Sequence, residues 1–357
     1  MYELDNKINT TLKLIKMKKG IILLMWLITF SQVHATIITV DNNFPSMGDY
    51  TTLQAAHDAA SSGDTLLLFP SNGVYQGINV NKMIIILGTG FQRNQTGVKN
   101  TFLAGEMLFN PGSDGSQLIG VCKFNDADLF HVKIDADNII IRNCYLTYLT
   151  VFQGHINTFI KNNIFIRNGD CYTDDYLIKV ENPNLIVIAN NIIKSLPFNG
   201  CQSQCILASG QNIAGEIINN IIINTEWDFT HPANIAVNAG QSQISVLNNI
   251  IGSGMCYGDY FSYNITRLMD LPDPTNINVN DFSSVFIDYP GGNYHLSATS
   301  PANGSGQWAA DMGIYGGDFP FIDGGYPELP AIYFLYVPHT GSQQGGLPIT
   351  IKAKSND

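Results

Sequence analysis

Between residues 139 and 251, short apolar runs alternate with polar positions, and each run ends on asparagine. Asn162–Asn163, Asn190–Asn191, Asn219–Asn220 and Asn248–Asn249 are such pairs; a degenerate copy keeps Asn143 and puts Cys144 second. The first asparagines lie 19, 28, 29 and 29 residues apart, a spacing that marks a solenoid repeat. Two and four residues before the first asparagine the chain is mostly apolar, as at Ile139 and Ile141, Ile186 and Ile188, Ile244 and Val246. The positions between them vary, as at Phe159 and Lys161, Glu216 and Ile218, Ser245 and Leu247. That is period two with one face inward. Eight residues before each first asparagine a turn is marked by Asp135, Gly154, Asn182, Gln211 or Gly240, and a short strand precedes it, such as 177–180 or 234–237. The segments are too short for helices and rich in β-branched residues. Three such strands per repeat predict a parallel β-helix with coils about 4.8 Å apart.

Two asparagines inside an apolar run need partners for their donors and acceptors. Stacked in register, Asn143, Asn162, Asn190, Asn219 and Asn248 are expected to point inward at one corner and form a structural ladder, bonding to neighbouring amides and backbone. Upstream, residues 51–60 predict a helix. Thr51 or Thr52 can cap it, Leu53, Ala56 and Ala60 share a face, and Gly63 follows as a stop. It is expected to close the N-terminal end of the solenoid, where bare strand edges invite aggregation.

The asparagine repeats, the opening "DYTTLQAAHDAASSGDTLLLF" and the ending "GGNYHLSATSPANGSG" with "ADMGIYGGDFPF" resemble the pectin-lyase-like superfamily. The resemblance covers roughly Thr36 to Phe321 and implies an all-β, single-domain right-handed parallel β-helix. It leaves activity open, because that fold hosts lyases, hydrolases, epimerases and proteins without known chemistry. The expected organisation is a signal peptide over 1–35, the β-helix with its caps over 36–330, and a C-terminal strand or tail over 331–357.

The signal peptide is read from Lys16, Lys18 and Lys19, the apolar run Ile21–Phe30 and "VHA" ending at Ala35. That run is too short for a convincing membrane span, and Met17 is an alternative start. The expected location is therefore secreted, at the cell surface or in the periplasm, with no membrane span after cleavage. Without residues 1–35 the formal net charge falls from −11 to −14, which argues against nucleic acid as a partner. Six cysteines enter an oxidising compartment. Cys122 and Cys144 fall in strand regions, while Cys171, Cys201, Cys205 and Cys256 are read as loop residues among which one disulfide could form.

The repeats differ most after the third strand, at 167–176, 194–205, 224–233 and 252–263. Function on repeat scaffolds concentrates on such inserts. They carry Tyr172, Trp227, Tyr257 and Asp259, which suit a wall for polysaccharide: aromatic faces stack on sugar rings and acids accept from hydroxyls. Asp170, Asp174 and Asp175 could hold Ca²⁺ through hard oxygens. Asp174, Asp175 and Asp228 are candidate catalytic carboxylates for a glycosidase. Lyase chemistry needs a base and a cation against the uronate, and two basic pairs fall in matching columns, Arg142 with Lys161 and Lys133 with Lys179. The polygalacturonase-like "GHG" and "RxK" and the pectate-lyase-like "RxPxxR" patterns are absent. The sequence thus points to a secreted polysaccharide-engaging β-helix, either a lyase or hydrolase or else a non-catalytic carbohydrate-binding or adhesive solenoid.

Overall fold

The computed structural model describes residues 35–91, 100–125, 129–167, 176–182, 184–195, 204–210, 213–224, 233–239, 243–252, 255–258, 260–267, 269–327, 331–337, 340 and 346–354. The chain divides into two units, Met1–Thr36 and Ile37–Asp357. The signal peptide expected over 1–35 lies almost entirely outside the described residues. Among those residues, no helix is long and apolar enough to cross a membrane.

The second unit is a parallel β-helix. Its first sheet runs from Ile37–Val40 through Thr65–Leu68, Ile85–Leu87, Gln117–Ile119, Ile140–Arg142, Ile156–Lys161, Asn184–Ala189, Ala214–Ile218 and Gln243–Leu247 to Phe261–Ser262. After each corner asparagine pair comes a strand of the second sheet, such as Ile164–Arg167, Ile192–Ser195 or Ile221–Asn224. A third sheet completes each coil with strands such as Phe130–Ile134, Tyr148–Val151, Tyr176–Glu181, Gln204–Gly210 and Ala233–Ala239. Every pairing within these sheets is parallel, and equivalent residues face each other coil by coil: Phe159 pairs Val187, which pairs Glu216, which pairs Ser245.

The inward positions read from the sequence are the core. Ile139, Ile141, Ile160, Ile186, Ile188, Ile217, Ile244 and Val246 are all buried in one apolar core. Cys122 is buried in strand Cys122–Lys123, and Cys144 is buried at the corner just before strand Tyr145–Leu146. Cys205 and Cys256 correct the loop reading: they sit in strands Gln204–Gly210 and Met255–Tyr257, and both are free thiols. Burial pushes the Cys205 and Cys256 thiols up to about 12, so neither is a ready nucleophile. Cys171 and Cys201 lie outside the described residues.

The asparagine ladder is offset by one residue from the expected one. It runs through the second asparagine of each pair. Asn163, Asn191, Asn220, Asn249, Asn264 and Asn276 follow one another, each side-chain N–H donating to the next Oδ1 at 2.9–3.1 Å. The other N–H of each donates to an inward carbonyl of the coil before, as Asn191 does to Ile160 O at 2.9 Å. From Asn191 on, each Oδ1 also accepts the backbone N–H of the preceding asparagine, as Asn220 does from Asn191 at 2.9 Å, and Asn163 Oδ1 accepts from Cys144 N at 2.9 Å. Both donors and both lone pairs are thus used, which is how a buried amide escapes its desolvation cost.

Asn143, Asn162, Asn190, Asn219 and Asn248 do other work. Their backbones all sit in the left-handed region, φ 54–56°, and Tyr263 takes that place in a later coil at φ 54°. Asparagine tolerates this region better than other side chains, and one such residue turns the chain from the first sheet into the second. Their side chains face a C-terminal strap instead of each other. Asn143 Nδ2 donates to Tyr326 O at 2.7 Å, Asn162 to Pro320 O at 3.3 Å, and Asn190 to Ile314 O and Gly316 O, both at 2.8 Å. Asn248 Oδ1 accepts from Gln307 N at 2.8 Å. The strap therefore runs back along the stack, from the late coils toward the early ones. With the segment around Phe282 and Phe286 it buries Ile192, Ile221 and Ile250 on the outside of the second sheet.

The expected helix is present as Leu53–Ala59, with Thr52 Oγ1 accepting from Ala55 N at 3.3 Å. Leu53, Ala56 and Ala60 join the core beside Val40 and Leu66. Lys82 Nζ donates to His57 O and Ala60 O, both at 2.9 Å, a cation on the carbonyls that end the helix. At the other end of the unit, Ala331–Tyr336 pairs antiparallel with Thr350–Lys354, so the expected C-terminal strand is half of a hairpin.

Candidate functional site

Of the insert residues expected to form a working edge, Asp170, Tyr172, Asp174, Asp175, Trp227, Asp228 and Asp259 lie outside the described residues. Tyr257 is described: it ends the third-sheet strand Met255–Tyr257, opposite Ala236, with half its surface exposed. Both basic columns are in register. Arg142 pairs directly with Lys161, while Thr150 lies between Lys133 and Lys179. Neither column presents bare charge. Lys133 is ion-paired with Glu106, and Lys179 with Glu181 at 2.8 Å. The Lys161 ammonium lies 4.3 Å from the centre of the Phe319 ring on the strap.

Other polar clusters are built into the scaffold. Lys123 is fully buried where the second sheet meets the third; its ammonium donates to Ile166 O at 2.7 Å and lies 5.0 Å from the Tyr145 ring. Buried Arg167 lies 5.7 Å from the ring of Tyr148. His155 spans two carboxylates, Asp135 at 2.8 Å and Asp137 at 3.1 Å, and so staples adjacent turns. Among the described residues no set of three His, Cys, Asp or Glu side chains could hold a metal ion.

The described surface does contain an open groove of about 880 Å³ at the last coil of the first and third sheets. One wall is the turn from Tyr257 through Gly258 and Tyr260 to strand Phe261–Ser262. Tyr257 and Tyr260 are 50% and 55% exposed. The other wall is the segment Met269–Asp273. It is fixed by Thr266 Oγ1 donating to Met269 O at 2.6 Å, and Met269 and Leu271 pack against the end of the core. Two carboxylates stand on this wall. Asp270 accepts from Asn278 Nδ2 at 2.6 Å, and Asp273 accepts from the Thr275 hydroxyl at 2.6 Å and its N–H at 2.8 Å. Those bonds from Thr275 hold the Asp273 carboxyl below the usual carboxylate range, so it is ionised at neutral pH.

Gln307 completes the groove from the C-terminal cap, anchored by its N–H on Asn248. The next residue, Trp308, is 90% exposed, with φ 57° and ψ 31°. Ala309 follows at φ 61°. Two consecutive left-handed residues other than glycine store on the order of 1–2 kcal/mol each. The turn is closed by Gly306 N donating to Ala310 O at 2.8 Å. An indole held out in water on such a backbone contributes nothing to the core. Sequence reasoning passed over Trp308 in favour of Trp227. The available signal was its setting in "GSGQWAADMG", a polar and small-residue stretch with no alternating apolar partners.

No family model matches the sequence, and no curated protein matches it. Solved structures similar to the chain include pectate lyase Pel9A, at 13% identity and a TM-score of 0.42, over 79% of this chain and 97% of that one. The pectin methylesterase from Aspergillus niger in deglycosylated form is similar at 14% identity and a TM-score of 0.32, over 74% of this chain and 90% of that one. With its coils stacked into parallel sheets about a buried asparagine ladder, the chain is a parallel β-helix.

Proposed function

We propose that the protein is a secreted solenoid that engages polysaccharide at the groove of its last coil. The observation that carries this reading is Trp308, almost wholly exposed on a strained turn and next in the chain to Gln307, which lines a groove with two half-exposed tyrosines. Aromatic faces stack on the C–H faces of sugar rings, while Ser245, Ser262 and Gln307 offer hydrogen bonds to hydroxyls. The reading is one of binding. Asp273 is held ionised and so is not a proton donor for a departing sugar, the part a glycosidase acid must play.

Binding of the full chain to a glycan array, compared with Trp308→Ala, tests the proposal. Loss of about tenfold in affinity with unchanged thermal stability is expected, in line with the 0.5–1.5 kcal/mol of an aromatic contact. Glycan binding that ignores this substitution would remove the groove from the site. A lyase or hydrolase working through Asp174, Asp175 and Asp228, with Ca²⁺ on Asp170, Asp174 and Asp175, would instead release shortened sugars and lose that activity in a chelator. Secretion is tested by the N-terminus of the exported protein, expected at Thr36.

A further inference from the structure

The groove carries a charge pattern that selects among polysaccharides. We infer that it takes neutral glycans and discriminates against uronates. This rests on the saccharide reading of the groove given above.

Asp270 and Asp273 stand on one wall, and no Lys, Arg or His is among the described residues that line the groove. The surrounding sequence repeats the bias. From Gly240 to Asn293 there are five aspartates and one cation, Arg267. The Arg267 side chain is engaged elsewhere, its Nε donating to Asn280 O at 3.5 Å. Asp273 is held in its charged form by Thr275, so the wall does not shed its charge to admit an anion at neutral pH. A sugar hydroxyl can donate to either carboxylate, a strong charge-assisted bond. A uronate carboxylate in the same place has no proton to give and meets like charge. At separations of several ångströms in water, two such repulsions amount to roughly tenfold in affinity. The loss grows with each further acidic sugar within a screening length. The basic columns give no relief: Lys133 and Lys179 are already ion-paired, and none of the four cations lines the groove.

The test uses the full chain and hexasaccharides of gluco, manno and galacto configuration, each beside its C6-oxidised uronate counterpart. Titrations are run in chelator at low and high salt. The neutral member of the best-bound pair should bind at least tenfold tighter than its uronate at low salt, with the gap narrowing as salt rises. Asp270→Asn with Asp273→Asn should strengthen uronate binding about tenfold, because the negative charge is removed and each asparagine amide can donate to a carboxylate. A uronate that binds as well as its neutral partner and weakens in Trp308→Ala would overturn the inference and leave the groove as a saccharide site. So would uronate binding that appears with added Ca²⁺ and is abolished in the double variant. If no sugar binds, or if binding ignores Trp308→Ala, the saccharide reading itself fails and takes the selectivity with it.

Discussion

The two asparagines of a pair look alike in sequence and carry different burdens. The first is needed for its backbone, at φ near 55°, and the second for its side chain. Asn220 Oδ1 accepts both the N–H and the Nδ2 of Asn191, so Asn220→Leu takes a partner from two buried donors and from three acceptors, Ile188 O, Ile218 O and Asn249 Oδ1. It should cost about 2–4 kcal/mol in urea unfolding. Asn219→Gly keeps the left-handed turn and should stay within about 1 kcal/mol of wild type. Equal costs at the two positions would refute this division of roles. The repeat itself was legible because apolar period and amide pairs recur together. Which amide forms the ladder was not, because periodicity ranks positions by burial and both asparagines are buried. The degenerate copies held the clue. Asn143–Cys144 keeps only the bending residue, and Tyr263–Asn264 keeps only the ladder residue.

At the level of elements, the helix Leu53–Ala59 was readable from its cap and apolar face. The strap was not, because its bonds to Asn143, Asn162, Asn190 and Asn248 join residues far apart in sequence through backbone carbonyls and an N–H, which carry no side-chain code. Gly317 marks the tightest point of that contact. It sits at φ 72°, and a Cβ there would come within 2.2 Å of Asn219 Nδ2. Gly317→Val should therefore loosen the strap, seen as faster hydrogen exchange over 313–321 with the inner strand amides still protected. Slow exchange there in the variant would mean the strap is held by something else. The helix carries its own acid sensitivity. His57 is buried, and burial lowers its pKa below the ordinary value of 6.5. The unfolded chain then binds a proton that the folded one resists, so stability is full above about pH 6.5 and falls as pH drops toward the lower folded pKa. His57→Leu should flatten that part of the stability profile between pH 7 and 5. An unchanged slope would show that other groups set it.

Over the whole molecule, the sequence located function on the inserts at 167–176, 194–205, 224–233 and 252–263, and the described groove at the last coil takes one wall from the last of these. Tyr257 belongs to both readings. Trp308 and Gln307 come from the C-terminal cap, some fifty residues further along the chain, and only the return of that segment brings Gln307 to the groove. Tyr260→Ala should weaken glycan binding severalfold without lowering the melting temperature, since its ring is 55% exposed. A lowered melting temperature would make the tyrosine a packing residue. The strap also imposes an order on synthesis. The coils bearing Ile192, Ile221 and Ile250 emerge before their cover, which ends at Phe321. At ordinary elongation rates the delay is on the order of ten seconds, during which a row of isoleucines faces water on a half-made chain. A chain stopped at Ser300 should fold its inner coils, bind an apolar dye and aggregate where the full chain does not. For this protein a late segment decides whether earlier coils stay soluble, and a messenger cut short before that segment would yield a hazard instead of a slightly smaller solenoid.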